Sequence, residues 1–454
     1  MSSLYLLPVA FCLFVASVPD SEGALTISRK ELPNGLKVIV VENHERPLVT
    51  INCAIKSGAA EELSVKAGLA HLTAKMLLQG TQSKTAAEIA ESLDCLGASI
   101  SVSADWDMTT IKITILKRVL PQALALLAEA LQHPSFPAWE IDKVKSGAAG
   151  ESSNSDNLWQ TADLAFNRAL FAEHRYGMPL RGNEKTLAGI MREDLFDFYH
   201  DHYAPNNTVI VFSGDVTLRE IEPMIAREMG KWKERNVRRP YAISSVAIEG
   251  ARVVVVDRPA ATQAQIRLGF PATGRSATDI TAIRMVNSIL SDRLSKELRA
   301  RRTITYGVSS NYDLRKIPGP FMIWTFTRPA QASEAIETIL SVAAQLAEQG
   351  PTREEFDRMK ERFKVGSWAL LELPDLLAAR IIEAEVYGDR IESVEAIERG
   401  IDAVTFDLVK QTARKYFKEP GAPNSQREWT IVVAGPASVL AESMKRFGPV
   451  KVIP

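Results

Sequence analysis

Cysteine is scarce in this chain, and no segment has the paired-cysteine spacing of a zinc finger or ribbon. Only three cysteines occur in 454 residues. Cys12 lies in an apolar N-terminal run, whereas Cys53 and Cys95 are far apart and flanked by apolar residues. A Cys/His zinc site is therefore excluded. We expect Cys53 and Cys95 to be buried thiols rather than a disulfide.

An excess of charge of either sign is also missing. Lys and Arg number 54 and Asp and Glu number 55, a formal net charge of −1. Without a long basic block, the chain has no signal for nucleic acid or anionic lipid. The 46% hydrophobic content indicates a soluble globular protein. Its length exceeds one ordinary core and fits two domains of roughly 200 residues.

An apolar run at residues 4–18 has the length of a signal-peptide core. It is short for a membrane span and is interrupted by Pro8. No Lys or Arg precedes it, and Glu22 makes the following SEGA a poor cleavage site. We interpret residues 1–24 as a signal peptide and expect a periplasmic or secreted protein. The alternatives are an uncleaved membrane anchor and a misassigned start.

The chain contains two similar halves. The matching landmarks are Pro47 and Pro259 in strand–turn–strand segments, Asp194 and Asp407 at the start of amphipathic helices, and Gly214 and Gly435 at strand ends. Their separations of 212, 213 and 221 residues agree. This agreement indicates a duplication.

The landmarks predict an N-terminal domain at 25–232, a linker at 233–250 and a C-terminal domain at 251–454. Each half has paired alternating strands, then long stretches with apolar residues at spacings of three and four, then a closing strand. We therefore predict an α+β fold of two homologous domains. Each is a largely antiparallel sheet with helices packed on one face.

The segment AGLAHLTAKMLLQGT, residues 67–81, carries the first candidate site. It resembles the helix of the pitrilysin and mitochondrial-processing-peptidase family, the inverted zincins, in which this helix contains HxxEH. The likeness continues in LPNGLKVIVVEN, LGASISVSADWDMTTIKITIL, ALFAEHRYGMPLRGNEKTLAGI and ELRARRTITYGVSS, and so covers nearly the whole mature chain. The resemblance implies that the two domains form half of a clamshell.

The zinc motif itself is degenerate here. In HxxEH, two His at i and i+4 hold zinc on one helix face, and the Glu takes a proton from the bound water. This chain has His71, then Ala74 in place of the base and Lys75 in place of the second ligand. Losing a general base costs about 100- to 10,000-fold in rate, and a lysine ammonium repels a divalent cation. We predict that His71 is vestigial and that this chain binds no cofactor.

The resemblance also implies a downstream glutamate ligand, and the only acidic candidate of that type in SGAAGESSNSDN is Glu151. Weak metal binding by His71 and Glu151 is the alternative. Three other histidines have plainer interpretations. His200 and His202 are two residues apart on a predicted helix and point to different faces, so we interpret them as surface or capping residues. His174 corresponds to a turn in the family, and we expect a structural role.

The second candidate site is SDRLSKELRARRTITYGVSS. In the family, the matching segment carries an Arg and, seven residues later, a Tyr that close over substrate at the zinc site. The corresponding residues here are Arg299 and Tyr306. A guanidinium can grip a peptide carbonyl or carboxylate, and a phenol can donate to an oxyanion. The alternative is a surface helix Arg and a half-buried sheet Tyr.

The resemblance therefore implies a non-catalytic subunit of a heterodimeric zinc metallopeptidase. The expected partner is a homologous subunit with HxxEH that carries the zinc, and the expected substrate is a peptide. A scaffold or peptide-binding subunit without a protease partner is one alternative. A self-sufficient metallopeptidase with an altered site is another.

Overall fold

The computed structural model describes residues 25–152, 157–172, 174–237, 253–273, 279–389, 391, 393–417 and 429–454, without the side chains of 148–152 and 371. The predicted signal peptide and residues 238–250 of the predicted linker lie outside this part. Within it, no helix has both the length and the apolarity needed to cross a bilayer.

The first half forms one six-stranded sheet with its helices. The strands are β1 (Thr26–Glu31), β2 (Lys37–Glu42), β3 (Leu48–Ile55), β4 (Ser99–Ala104), β5 (Thr109–Leu116) and β6 (Thr208–Gly214). The helices are α1 (Leu69–Met76), α2 (Ala86–Cys95), α3 (Leu120–Gln132), α4 (Ala138–Ser152), α5 (Leu158–Phe171), α6 (Glu184–Ala188), α7 (Arg192–His202) and α8 (Leu218–Met229).

The second half forms a second six-stranded sheet. The strands are β7 (Val253–Asp257), β8 (Ala264–Pro271), β9 (Val308–Leu314), β10 (Pro318–Thr327), β11 (Thr430–Gly435) and β12 (Val450–Ile453). The helices are α9 (Ile280–Leu294), α10 (Ala332–Gln349), α11 (Arg353–Glu372), α12 (Pro374–Tyr387), α13 (Val394–Asp402), α14 (Phe406–Phe417) and α15 (Ala437–Met444). A π-helical segment, Ser295–Arg301, continues α9.

The two sheets share one topology, which confirms the predicted duplication. Their orders are β1-β2-β6-β3-β5-β4 and β12-β7-β11-β8-β10-β9. The pairs β2–β6 and β7–β11 are parallel, and most of the others are antiparallel. The sheets differ at one edge, since β1 is antiparallel to β2 whereas β12 is parallel to β7. The predicted α+β class and largely antiparallel sheets are confirmed.

Both faces of each sheet are buried, which goes beyond the prediction of helices on one face. In β7, Val253 and Val255 belong to the core shared with the helices of the second half. The alternate residues Val254 and Val256 pack in a separate cluster on the opposite face. Strands buried on both sides have unbroken apolar runs, and the VVVV of β7 is such a run.

One face of each sheet is covered by a helix that belongs to the other half. Helix α5 of the first half packs Phe166 and Leu170 with Val254 and Val256 of the second sheet. Helix α12 of the second half packs Leu377 and Ile381 on the first sheet, in a cluster that includes Ile39, Val41, Val209 and Val211. The halves are therefore joined by an exchange of helices as well as by the linker.

Polar contacts reinforce this junction. The Arg267 side chain is fully buried, and its Nε lies 2.5 Å from Asp163 Oδ1 on α5. Asp107, in the β4–β5 turn, accepts hydrogen bonds from the Lys316 backbone N–H and the Tyr387 hydroxyl, both at 2.9 Å. These bonds fix the position of β9 and α12 relative to the first sheet.

Two predictions about single residues are wrong. Cys53 is buried, but Cys95 is exposed, and both are free thiols. Cys95 ends α2 and lies outside the core that its neighbour Leu93 joins. His200 is exposed, whereas His202 is buried with its ring 4.6 Å from that of Phe198. The predicted difference in the faces of these two histidines is correct, but His202 faces the core.

Candidate functional site

A buried carboxylate sets the start of helix α1, which carries His71. The Glu62 carboxylate accepts hydrogen bonds from the backbone N–H groups of Gly68, at 2.9 Å, and Ala70, at 2.6 Å. Arg175 Nη2 lies 2.8 Å from Glu62 Oε2, and both side chains are almost inaccessible to solvent. Burial raises the pKa of Glu62, and Arg175 with the two N–H groups opposes that shift. Glu62 replaces the side-chain cap that Gly68 cannot provide.

The backbone conformation and close packing at the start of α1 require a glycine at position 68. Its φ of 98° is left-handed, and a Cβ there would lie 2.7 Å from the backbone oxygen of Arg181. Gly182 in turn approaches the backbone oxygen of Ala67. The 174–182 loop therefore packs directly on the N-terminus of α1. His174 begins this loop, where its Nδ1 accepts a hydrogen bond from the Tyr176 N–H at 3.1 Å, in keeping with the expected structural role.

The degenerate motif lies on α1 as the sequence predicted. His71 is 6% exposed and Ala74 is fully buried, whereas Lys75 points to solvent. Among the described side chains, no group of three or more His, Cys, Asp or Glu could hold a metal ion. The Glu151 side chain lies outside the described residues, so its pairing with His71 stays a prediction.

These residues do not fit the zinc that the family implies. The Ala74 side chain has no donor atom, the Lys75 side chain is an ammonium, and the Glu62 carboxylate is already bound to two N–H groups and Arg175.

A neighbouring carboxyl, that of Glu61, has a shifted pKa: burial raises the pKa of Glu61 to about 7. Asp107 adds to that shift and Lys316 opposes it. Glu61 lies in the short 3₁₀ turn before α1 and is not part of the motif.

The second candidate site lies where α9 changes from α- to π-helical hydrogen bonding. The Arg302 N–H donates to Glu297 O at 3.1 Å, five residues back, and the Ile304 N–H donates to Leu298 O at 3.0 Å. Fully buried Leu298 anchors the π-helical segment to the core. π-Helical turns are rare and are frequent at functional sites.

Arg299 projects from this segment into solvent. It lines an open hollow of about 500 Å³ with Asp292, Ser295, Lys296 and Ala300. Its neighbours Arg301 and Arg302 are each paired with Glu297 at 3.0 Å. Within the described part of the chain, the Arg299 guanidinium has no hydrogen bond or ion pair. Of the three arginines in RARR, Arg299 is thus the one left open to a ligand.

Tyr306 is also open to a ligand. It is 86% exposed, although Ile304 and Thr305 just before it are each only 5% exposed. The Tyr306 hydroxyl likewise has no partner among the described residues. The exposure of Arg299 agrees with the alternative of a surface helix arginine, whereas the exposure of Tyr306 does not agree with that of a half-buried sheet tyrosine. One guanidinium and one phenol hydroxyl are therefore exposed on a single segment of the chain.

Sequence reasoning missed several structural features of the two candidate sites. The π-helical segment, the pairing of Arg301 and Arg302 by Glu297, and the Glu62–Arg175 ion pair were not predicted. For Arg301, the i, i+4 spacing from Glu297 was an available signal. The Glu62–Arg175 pair spans 113 residues and has no local signal.

Comparison with protein families gives two matches that together cover most of the chain. Residues 37–184 match the model described as Insulinase (Peptidase family M16). Residues 189–363 match the model described as Peptidase M16 inactive domain.

Individual relatives agree in length with this chain. An uncharacterized zinc protease of Bacillus subtilis, YmxG, is 25% identical over 87% of this chain and 96% of the relative. An uncharacterized zinc protease of Rickettsia bellii is 24% identical over 85% of this chain and 94% of the relative.

Solved structures have the same fold. A peptidase M16 inactive domain from Pseudomonas fluorescens has a TM-score of 0.80 at 25% identity and covers 91% of this chain and 98% of its own. The first half of the periplasmic protease PqqL from Escherichia coli has a TM-score of 0.73 at 16% identity, covering 94% and 95%. With the sequence motifs and the duplicated fold, these matches show that the chain belongs to the insulinase family of peptidases, family M16.

Proposed function

We propose that this chain is the non-catalytic subunit of a heterodimeric zinc metallopeptidase. It binds a peptide substrate and stabilises the oxyanion of hydrolysis for a homologous partner that carries HxxEH. The observation that supports this most directly is the contrast between the two sites. The His71 segment has donors unsuited to zinc, whereas Arg299 and Tyr306 are exposed and unpaired in the described structure.

The chemistry of these two residues fits that role. In the partner, zinc would activate the attacking water and polarise the scissile carbonyl. An extended substrate would add to a sheet edge of the partner. In this chain, the Arg299 guanidinium would bind a carbonyl or carboxylate of the substrate. The Tyr306 hydroxyl would donate a hydrogen bond to the oxyanion, an interaction that is strongest in the transition state.

The comparison with PqqL supports a paired assembly and a periplasmic location. The chain covers nearly all of YmxG, so relatives of this length exist as separate chains. A similar fold also forms the first half of a longer protein, the periplasmic protease PqqL. A two-domain unit of this kind therefore occurs both alone and as one half of a larger chain, and the apolar run at residues 4–18 agrees with export.

The test is reconstitution with an HxxEH-bearing family member from the same genome, assayed by cleavage of a fluorogenic peptide. We expect the chain alone to be inactive and to contain no stoichiometric zinc by elemental analysis. We expect the pair to be active and to lose activity with a chelator. Arg299→Ala and Tyr306→Phe in this chain should each lower kcat/KM by about 100-fold or more.

Arg301→Ala is the matched control, because Arg301 lies two residues from Arg299 but is paired with Glu297. It should change kcat/KM by less than about twofold, as expected for an exposed ion pair. Activity of the pair that is unchanged by both Arg299→Ala and Tyr306→Phe would contradict the proposal and favour a scaffold role. One zinc per isolated chain, lost in His71→Ala, would favour a self-sufficient enzyme.

A further inference from the structure

We infer that Thr325 and Thr327, on strand β10, are positioning residues that hold Tyr306 in place relative to Arg299. This inference rests on the proposed function and names two residues that no sequence motif indicates. Thr325 is fully buried and Thr327 is 4% exposed, so neither is able to contact a substrate directly.

The two threonine hydroxyls bind the backbone on both sides of Tyr306. Thr327 Oγ1 donates to the carbonyl of Ile304 at 2.7 Å. Thr325 Oγ1 donates to the carbonyl of Gly307 at 2.9 Å. Thr305 adds a local turn, since its Oγ1 also donates to Gly307 O at 2.9 Å and accepts from Gly307 N at 3.1 Å.

The threonine hydrogen bonds continue the connection between the two strands beyond the last backbone pair of β9 and β10. The pairing of β9 with β10 reaches Val308, opposite Thr325, and does not include residues 304–307. Without the hydroxyls, the carbonyls of Ile304 and Gly307 would have no partner on β10. The two threonine side chains therefore attach residues 304–307, which include Tyr306, to β10.

The same segment is constrained from its other end. Thr303 has a φ of 55°, a left-handed conformation that is unfavourable for a β-branched residue. The π-helical hydrogen bonds and buried Leu298 fix the backbone before it. The segment from Arg299 to Tyr306 is thus held at both ends and strained between them. Strain of this kind persists only where the surroundings determine the conformation.

The test uses the reconstituted pair with a Thr325→Val/Thr327→Val variant, which removes both hydroxyls and keeps the shape of the side chains. We expect kcat to fall about tenfold with KM within about twofold of wild type, because the lost alignment affects the transition state. Hydrogen exchange of the backbone amides of residues 304–307 should become about fivefold faster. Thr325→Ser/Thr327→Ser retains both hydroxyls and should restore kcat.

Thr208→Val is the matched control, since the buried Thr208 hydroxyl donates to a backbone carbonyl, Ala204 O, at 2.8 Å in the first half. It should lower the melting temperature but leave kcat and exchange at 304–307 unchanged. A wild-type kcat in the double valine variant, with kcat still lowered by Tyr306→Phe, would overturn the inference and leave the proposed function intact. Failure of the serine variant to restore kcat would also overturn it. If Tyr306→Phe has no effect, this inference fails, and if Arg299→Ala has no effect either, the proposed function fails with it.

Discussion

At the scale of single residues, Glu62 shows how a buried charge can be structural in a peptidase fold. Its carboxylate binds two N–H groups at the start of α1 and the guanidinium of Arg175. Arg175 in turn donates to the carbonyls of Pro179 and Leu180, at 3.1 and 3.2 Å. The pair thus joins α1 to the 174–182 loop, and its position follows from packing rather than from metal chemistry.

Breaking this pair should be costly, because the remaining charge stays buried without its partner. Arg175→Met should lower the free energy of unfolding by about 3 kcal/mol. Urea denaturation followed by circular dichroism measures the change. Arg227→Met serves as the control, since the Arg227–Glu228 pair is exposed, and should change stability by less than about 0.5 kcal/mol. An equal effect of both variants would show that the Glu62–Arg175 pair adds nothing beyond a surface ion pair.

At the scale of elements, helices α5 and α12 determine how the halves meet. Each has an apolar face that does not pack on its own sheet but on the outer face of the other. The strands under them, β6, β7 and β11, have apolar residues on both sides and could not remain exposed on one face. The exchange of helices therefore follows from the unbroken apolar runs of these strands.

Truncation of Ile381 tests the contribution of α12. Ile381 is fully buried in the cluster with Val209 and Val211. Ile381→Ala should lower the free energy of unfolding by about 3 kcal/mol through lost burial and a residual cavity. The exposed Val365 on α11 gives the control, because Val365→Ala removes apolar atoms that are already in contact with water. The free energy of unfolding, measured by chemical denaturation, should fall more in Ile381→Ala than in Val365→Ala. Equal stability of the two variants would contradict the packing role of α12.

At the scale of the whole molecule, the two homologous halves share one buried junction. Asp107, Lys316 and Tyr387 bridge the junction, and Arg267 of the second sheet is buried against Asp163 of α5. A sheet that lost the helix donated by the other half would expose a broad apolar face. Exposed faces of that size cause aggregation or association.

Separate expression of the halves tests this dependence. We expect fragments 25–232 and 251–454, each made alone, to aggregate or to bind a hydrophobic dye such as ANS. Made together, they should form a soluble one-to-one complex, measured by size-exclusion chromatography with light scattering. A monomeric fragment 25–232 with a sharp thermal transition of its own would show that the exchanged helices are dispensable.

The sequence by itself determined the duplication, the α+β class and the identity of the candidate residues. The fold class follows from strand alternation and helical spacing, and the duplication follows from landmarks that recur 212 to 221 residues apart. The resemblance to the family identified Ala74, Lys75, Arg299 and Tyr306 as the candidate residues. The structure was needed to show that Arg299 and Tyr306 are exposed, that Glu297 pairs with Arg301 and Arg302, and that Thr327 binds the carbonyl of Ile304.

Only the tertiary structure decided the contacts between distant segments. The Glu62–Arg175 pair, the exchange of α5 and α12, and the burial of His202 each depend on residues that are brought together by packing. The positioning threonines lie about 20 residues beyond Tyr306 and act through β-sheet register. Side-chain spacing along one strand cannot specify such a register, because the partner strand sets which hydroxyl meets which carbonyl.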